Sequence, residues 1–237
     1  MRNFINSGLV RYMQIRWFGH AAFILESGSL KILIDPWISN PLSPVSLQDV
    51  KNLKPTHILV THDHFDHLGD AIDISKATGA PIVGTYELTL EVAEKGIPEA
   101  QTLPMNIGGT IKLGDGVEIY MTQALHTANR GAPSGFVIAT PEGTVYHAGD
   151  TGLFKDMELI AELYDIDVAL LPIGSVFTMG PREAAIAVQL LRPKKVVPMH
   201  YNTFPLIKQD PEDFKSRVEA ISRVKVYLMK PGDTLRI

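Results

Sequence analysis

Thr61-His62-Asp63-His64-Phe65-Asp66-His67 follows directly on the apolar run Ile58-Leu59-Val60. Three imidazoles and two carboxylates fall within six residues, from His62 to His67. Crowding such groups without a cation is costly, because each polar head needs a partner and like groups disfavour one another's charge. Imidazole nitrogen and carboxylate oxygen are the donors that hold zinc and its relatives. A short strand ending in a turn would fan these side chains around one point. Along an extended loop His62, His64 and Asp66 would face one way and His67 the other, which suits two neighbouring cations better than one.

The rest of the chain is that of an ordinary globular protein. Of 237 residues, 45% are hydrophobic and 20% charged, enough for a sizeable core. No apolar run approaches the ~20 residues that span a bilayer. Residues 1–12 lack the apolar core of a secretory signal and read as a loose extension before a single domain over 13–237. A cytoplasmic location is expected. Cysteine is absent, which removes disulfides, thiolate nucleophiles and cysteine-bound zinc together. A net charge of −4 without a Lys/Arg run argues against a nucleic-acid surface.

In chain order, residues 14–25 read as two short strands meeting at Gly19, and 31–35 as a third strand ending on Asp35. Pro36, Pro41 and Pro44 then make a loop that cannot continue a sheet. Helices are expected over 71–78 and 87–95, each with glycine past its end, around a strand at 81–84. From Gln101 the rhythm turns to hairpins: 110–113 with 117–123, and 135–140 with 144–147. Alternation then resumes, with helices at 155–164, 181–191 and 211–221 and strands at 168–171, 195–199 and 225–228. Pro181 and Pro211 suit first helical turns, where a missing N–H costs nothing. Strands mixed with helices, with no linker between, indicate an α/β layered domain.

Three isolated residues join the dense loop as ligand candidates. His126 and His200 each stand where an apolar strand meets a loop, and Asp150 stands just off another behind Gly149. A site built on a rigid scaffold has this placement. His20 in a Gly-His-Ala turn reads as a substrate contact or a support for the ligands, or equally as a structural residue. Asp35 reads as a support of the metal loop through backbone or imidazole N–H groups, or as a turn residue before Pro36. His147 is expected to be structural and His57 peripheral.

Thr-His-Asp-His-Phe-Asp-His resembles the His-x-His-x-Asp-His signature of the metallo-β-lactamase superfamily, and His126, Gly149-Asp150-Thr151 and His200 follow in the order of its remaining ligand motifs. Gly19-His20-Ala21, 106–109, 147–151, 171–174, 178–181 and 197–205 resemble more closely an uncharacterised family of metal-dependent hydrolases within it, near the ascorbate-phosphate lactonases. The resemblance implies a four-layer αβ/βα sandwich, mixed sheets with outer helices, and a site at one edge where the sheets meet. It implies that His62, His64 and His126 hold one metal, that Asp66, His67 and His200 hold a second, and that Asp150 bridges them. Asp66 is then also the group that orients or deprotonates the nucleophilic water.

The expected chemistry is hydrolysis by hydroxide shared between two divalent cations, with Asp66 and Asp150 as the catalytic carboxylates. Zinc is the first expectation, with manganese, iron and nickel as alternatives. The expected substrate is a small phosphodiester, cyclic phosphate or lactone. An iron- or manganese-loaded redox or oxygen-sensing protein, or a non-catalytic metal-stabilised binding protein, could use the same ligands. A small-molecule substrate is the expected partner; a homo-oligomer is left open, and neither nucleic acid nor membrane is expected.

Overall fold

The computed structural model describes residues 12–237. The expected loose extension therefore falls, except for Tyr12, outside the described residues.

The first half of the chain runs β1 (Gln14–Trp17), β2 (Phe23–Ser27), β3 (Leu30–Ile34), α1 (Leu47–Leu53), β4 (His57–Leu59), α2 (Phe65–Leu68), α3 (Ala71–Thr78), β5 (Ile82–Thr85), α4 (Tyr86–Glu94) and β6 (Thr102–Met105). The second half runs β7 (Thr110–Gly114), β8 (Val117–Gln123), β9 (Ser134–Thr140), β10 (Gly143–His147), α5 (Met157–Leu163), β11 (Val168–Pro172), α6 (Pro181–Leu191), β12 (Lys195–Met199), α7 (Pro211–Ile221), β13 (Lys225–Val226) and β14 (Thr234–Arg236). Two seven-stranded sheets result, ordered β14-β1-β2-β3-β4-β5-β6 and β13-β12-β11-β10-β9-β8-β7. Each is antiparallel where hairpins connect its strands and parallel where helices do, as connection length requires. The last strand, β14, returns to the first sheet and pairs with β1.

Period-2 alternation explains the layers. Trp17, Phe23, Leu25, Ile32 and Ile34 turn inward and join Val117, Ile119, Met121, Phe136 and Val197 of the other sheet in one buried cluster. Ile24, Leu33, Ile58 and Ile82, on the opposite face, pack with Val50, Ile74, Leu88 and Val92 from α1, α3 and α4 in a second cluster. Across the molecule, Met157 and Ile160 of α5, Ala184 and Val188 of α6, and Phe214 and Val218 of α7 extend the first cluster. These are two mixed sheets between outer helices, the four-layer sandwich. Among the described residues no helix is long and apolar enough to cross a membrane.

Two local expectations need correction. The proline-rich segment 36–44 is a loop as expected, but it leads into a helix that was not: α1 has Ser46 at its N-cap and a reciprocal Ser46–Asp49 capping box. The ligand stretch is not extended to Asp66. It is extended only as far as His64, and Phe65–Leu68 then forms a helical turn. Asp66 and His67 are therefore offset around a helix rather than on opposite sides of a strand, so both can reach the same point.

Candidate metal centre

The site lies beyond the C-terminal ends of the parallel strands, on the edge where the two sheets approach. Thr61–His67 continues from β4, His200 from β12, and Asp150 stands three residues past β10. Several bonds clamp this edge. Ser134 donates both its N–H and its hydroxyl to the Thr61 carbonyl, at 3.1 and 2.9 Å. The His200 N–H donates to the His20 carbonyl at 3.1 Å. His147 is fully buried, with Nε2 3.0 Å from the Ala21 carbonyl and Nδ1 accepting from the Gly149 N–H at 3.2 Å. It is a brace between the sheets. Gly149 has φ +61°, and a Cβ there would lie 2.4 Å from the Ser134 carbonyl oxygen, so only glycine lets the chain pass and deliver Asp150.

All seven side chains expected as ligands come together, in overlapping sets. His62, His64 and His126 form one group, His62, His67 and Asp150 another, and Asp66, His67 and His200 a third that also takes in His20. His62 Nε2 and His126 Nε2 lie 3.0 and 3.3 Å from His64 Nδ1. Asp150 stands between the groups: Oδ1 is 3.2 Å from His67 Nε2, and Oδ2 is 3.0 Å from His200 Nε2 and 3.5 Å from His126 Nε2. The His67 and His200 approaches are close but lack hydrogen-bond angles. His67 Nε2, Asp150 Oδ1 and both ring nitrogens of His200 are buried without a hydrogen-bond partner. Buried polar atoms are rarely left so. Imidazole nitrogens converging on a carboxylate with unpaired atoms are a donor set that fits divalent cations.

A shell of hydrogen bonds sets which atoms face inward. Asp35 accepts from the Thr61 N–H, the Thr61 hydroxyl and His67 Nδ1, each at 2.8 Å. That fixes His67 with its Nε2 lone pair toward Asp150. Because the Thr61 hydroxyl gives its proton to Asp35, it accepts from His62 Nδ1 at 3.0 Å, and His62 too presents Nε2. His20 donates from Nε2 to Asp66 Oδ2 at 3.1 Å, and its Nδ1 meets the Thr203 hydroxyl at 2.8 Å. Its Nε2 proton is thus directed at Asp66, so His20 positions that carboxylate although it falls within the same cluster. His20, Asp35 and His200 all have positive φ (51°, 43° and 56°), the kind of backbone strain that concentrates at functional sites.

Electrostatics favour neutral imidazoles at His20, His62 and His126 and ionised carboxylates at Asp66 and Asp150, with His67 the exception. Burial pushes His20 down to about 4, with His200 adding to the effect. Burial likewise lowers His62 and His126. Burial alone would raise Asp150, but His200 and His67 beside it hold it well below the ordinary range. For Asp66 burial is outweighed by the His20 hydrogen bond and by His67. For His67 burial is outweighed by Asp150 and Asp35 on either side, which raise it.

Two contributors carry little sequence signal. Asp63 is buried, and its carboxylate accepts from the N–H groups of Asn129 and Arg130, both at 2.8 Å. At the other end of that segment the Leu125 N–H donates to the Thr151 hydroxyl at 3.0 Å, and the Gly152 N–H donates to the Leu125 carbonyl at 2.9 Å. The segment carrying His126 is thus pinned on both flanks. Thr203 was equally hidden, lying 183 residues from the His20 that it holds. His57 is half-buried, with Nδ1 on the adjacent Thr56 hydroxyl.

Comparison with known proteins agrees with this architecture. Residues 31–201 match the family model of a beta-lactamase superfamily domain. A UPF0173 metal-dependent hydrolase of Pyrobaculum neutrophilum is 84% identical over 225 residues, spanning 95% of this chain and 100% of the relative. The solved structure of a metallo hydrolase from Ignicoccus hospitalis is 46% identical with a TM-score of 0.90, covering 95% of this chain and 98% of that one. The metallo-beta-lactamase fold protein YhfI of Bacillus subtilis, at 15% identity and TM-score 0.76 over 95% of this chain and 100% of its own, shares the fold alone. The chain belongs to the UPF0173 metal-dependent hydrolases, within the beta-lactamase superfamily.

Proposed function

We propose that this metal-dependent hydrolase works with two divalent cations, zinc before manganese, iron or nickel. His62, His64 and His126 would hold one, Asp66, His67 and His200 the other, with Asp150 shared. The observation that carries the proposal is the pair of donor groups flanking Asp150, whose two oxygens face His67 on one side and His200 and His126 on the other. When bound, such a pair supplies Lewis-acid charge and brings the pKa of water down towards ~7.

The chain's own residues do the rest. Asp150 sets the spacing and offsets charge. His20 holds Asp66 Oδ2, so Asp66 Oδ1 is the oxygen offered to the cavity for orienting a water and taking its proton. Asp35, through Thr61 and His67, keeps two imidazoles protonated at Nδ1, so that Nε2 is the atom a metal would take. The bond cleaved is that of a small phosphodiester, cyclic phosphate or lactone. The lactone option draws on the expectation that the hydrolase family the 147–151 and 197–205 motifs resemble stands near the ascorbate-phosphate lactonases.

The test is metal quantification on purified protein followed by a screen against bis-p-nitrophenyl phosphate, cyclic nucleotides and a lactone panel. Two equivalents of zinc or manganese with turnover of any of these supports the proposal. Iron with dye reduction and no hydrolysis would replace it with the redox reading.

A further inference from the structure

The cavity over the metal centre is apolar where a phosphorylated substrate would need cations. It has a volume of about 640 Å³, with His64, Asp66, His126, Asp150 and His200 at its base. Its walls come from Phe65, Phe177, Phe204, Pro205 and Leu206, with Thr127 a polar side chain among them. Phe65, Phe177 and Leu206 are 68%, 51% and 67% exposed. Large apolar side chains held open to water beside a polar centre mark a surface awaiting a ligand. Phe65 and Phe204 belong to a rigid aromatic group with Trp37, at centroid distances of 5.6 Å (Trp37–Phe65), 5.5 Å (Trp37–Phe204) and 6.1 Å (Phe65–Phe204). Among the described residues no lysine or arginine lines the cavity, and apart from the cations its base would hold, its fixed charges are the carboxylates of Asp66 and Asp150. A phosphate away from the scissile bond would thus meet phenyl and leucine side chains and lose its hydration without compensation. An aryl or alkyl group would lose nothing there and bury its surface.

We infer that the substrate is an uncharged carboxylic ester or lactone bearing an aryl or alkyl group, and that Phe65, Phe177, Phe204 and Leu206 select it. This rests on the hydrolase reading above and, within it, argues against substrates that carry a phosphate away from the scissile bond. The reaction consumes one water: its oxygen forms the new bond to the carbonyl carbon, the ester C–O bond breaks, and the water's proton passes to the departing alkoxide. The products are a carboxylate, a released proton and an alcohol, joined in one molecule when the substrate is a lactone.

The test uses the metal-loaded full chain and two readouts. The first is binding of 3-phenylpropan-1-ol, which cannot be hydrolysed, against glycerol 1-phosphate, followed by tryptophan fluorescence. The chain has two tryptophans; Trp37 stacks on Phe204 at the cavity, whereas Trp17 is buried in the core. The phenyl alcohol should give a saturable change and the glycerol phosphate none, and Phe177→Ala and Leu206→Ala should each raise the Kd of the alcohol at least ~5-fold, short of the tenfold that corresponds to about 1.4 kcal/mol. The second readout is kcat/KM for γ-phenyl-γ-butyrolactone against a phosphorylated sugar lactone. The phenyl lactone should lead by roughly tenfold or more, with the loss in the two variants falling on KM, and Leu206→Lys should narrow the gap. A phosphorylated lactone or cyclic nucleotide preferred over the phenyl lactone overturns the inference and leaves the hydrolase reading standing. Tight, variant-sensitive binding of the alcohol without turnover of any substrate overturns the hydrolase reading and the inference with it, and binding indifferent to both alanine variants overturns the inference alone.

Discussion

Replacing Asp35 by Asn changes one oxygen to nitrogen yet should reset the tautomer of a ligand. Asp35 sits at φ 43°, a conformation Asn tolerates, so the backbone is preserved. The Asn amide oxygen can still accept from the Thr61 N–H, but its NH₂ now faces the Thr61 hydroxyl and His67 Nδ1, both at 2.8 Å in the native protein. His67 must then accept at Nδ1 and carry its proton on Nε2, the atom turned toward Asp150. Loss of a hydrogen bond to a charged carboxylate costs about 1.5–3 kcal/mol of stability. Metal affinity should fall about 10–100-fold, the usual effect of removing such a support, or roughly 1.4–2.7 kcal/mol. Chelator competition measures the affinity, and nitrogen-15 imidazole spectra of the metal-free protein report whether His67 Nδ1, protonated toward Asp35 in the native chain, loses its proton in the variant. Affinity within twofold of native, or Nδ1 still protonated in the variant, would refute the reasoning.

Further expectations concern stability, the His126 segment and one strained loop. His20 titrates near 4 in the folded chain against 6.5 when exposed, so the unfolded state binds the extra proton between those values. Its contribution is complete above pH 6.5 and is lost as pH falls towards 4, in total about 3 kcal/mol. Urea unfolding of chelated protein at several pH values should therefore show a shallower slope for His20→Gln, and parallel curves would contradict this. Asp63→Ala removes the acceptor for two backbone N–H groups. Amide exchange at Asn129 and Arg130 should quicken by roughly tenfold or more while global stability changes little; unchanged exchange would dissociate Asp63 from the His126 segment. Val176, β-branched and exposed, has φ 57°, so Val176→Gly should raise stability by about 1 kcal/mol in thermal melts, and a loss would show that the strain is offset by contacts.

What could be read from the chain tracks how local each signal is. Helix α6 begins at Pro181 and ends at Leu191 as its proline and apolar spacing indicate, and β8 and β12 likewise match their patterns. The segment of α1 was masked by prolines on its approach, although Ser46 and Asp49 spell a capping box. Strand β6 was missed because Pro104 argues against a central strand; it lies at the sheet's edge, where a missing N–H is harmless. The dense loop announced donor chemistry, and Asp150, His126 and His200 could be nominated from their places at strand ends. That they share one point with His62–His67 is a fact of topology, and only the resemblance supplied it in advance. The pairs His20–Thr203 and Asp63–Asn129 are contacts between distant segments with no spacing to betray them. The apolar cavity is assembled from three separate segments, around Phe65, Phe177 and Phe204–Leu206, so its lack of cationic side chains was invisible until the chain was folded.

The most direct measurement is anomalous scattering from crystals of metal-loaded protein, recorded on both sides of the metal's absorption edge. The account expects two peaks, one among His62, His64 and His126 and one among Asp66, His67 and His200, with an Asp150 oxygen on each. A single peak, a peak away from these side chains, or an Asp150 that touches neither ion would contradict it.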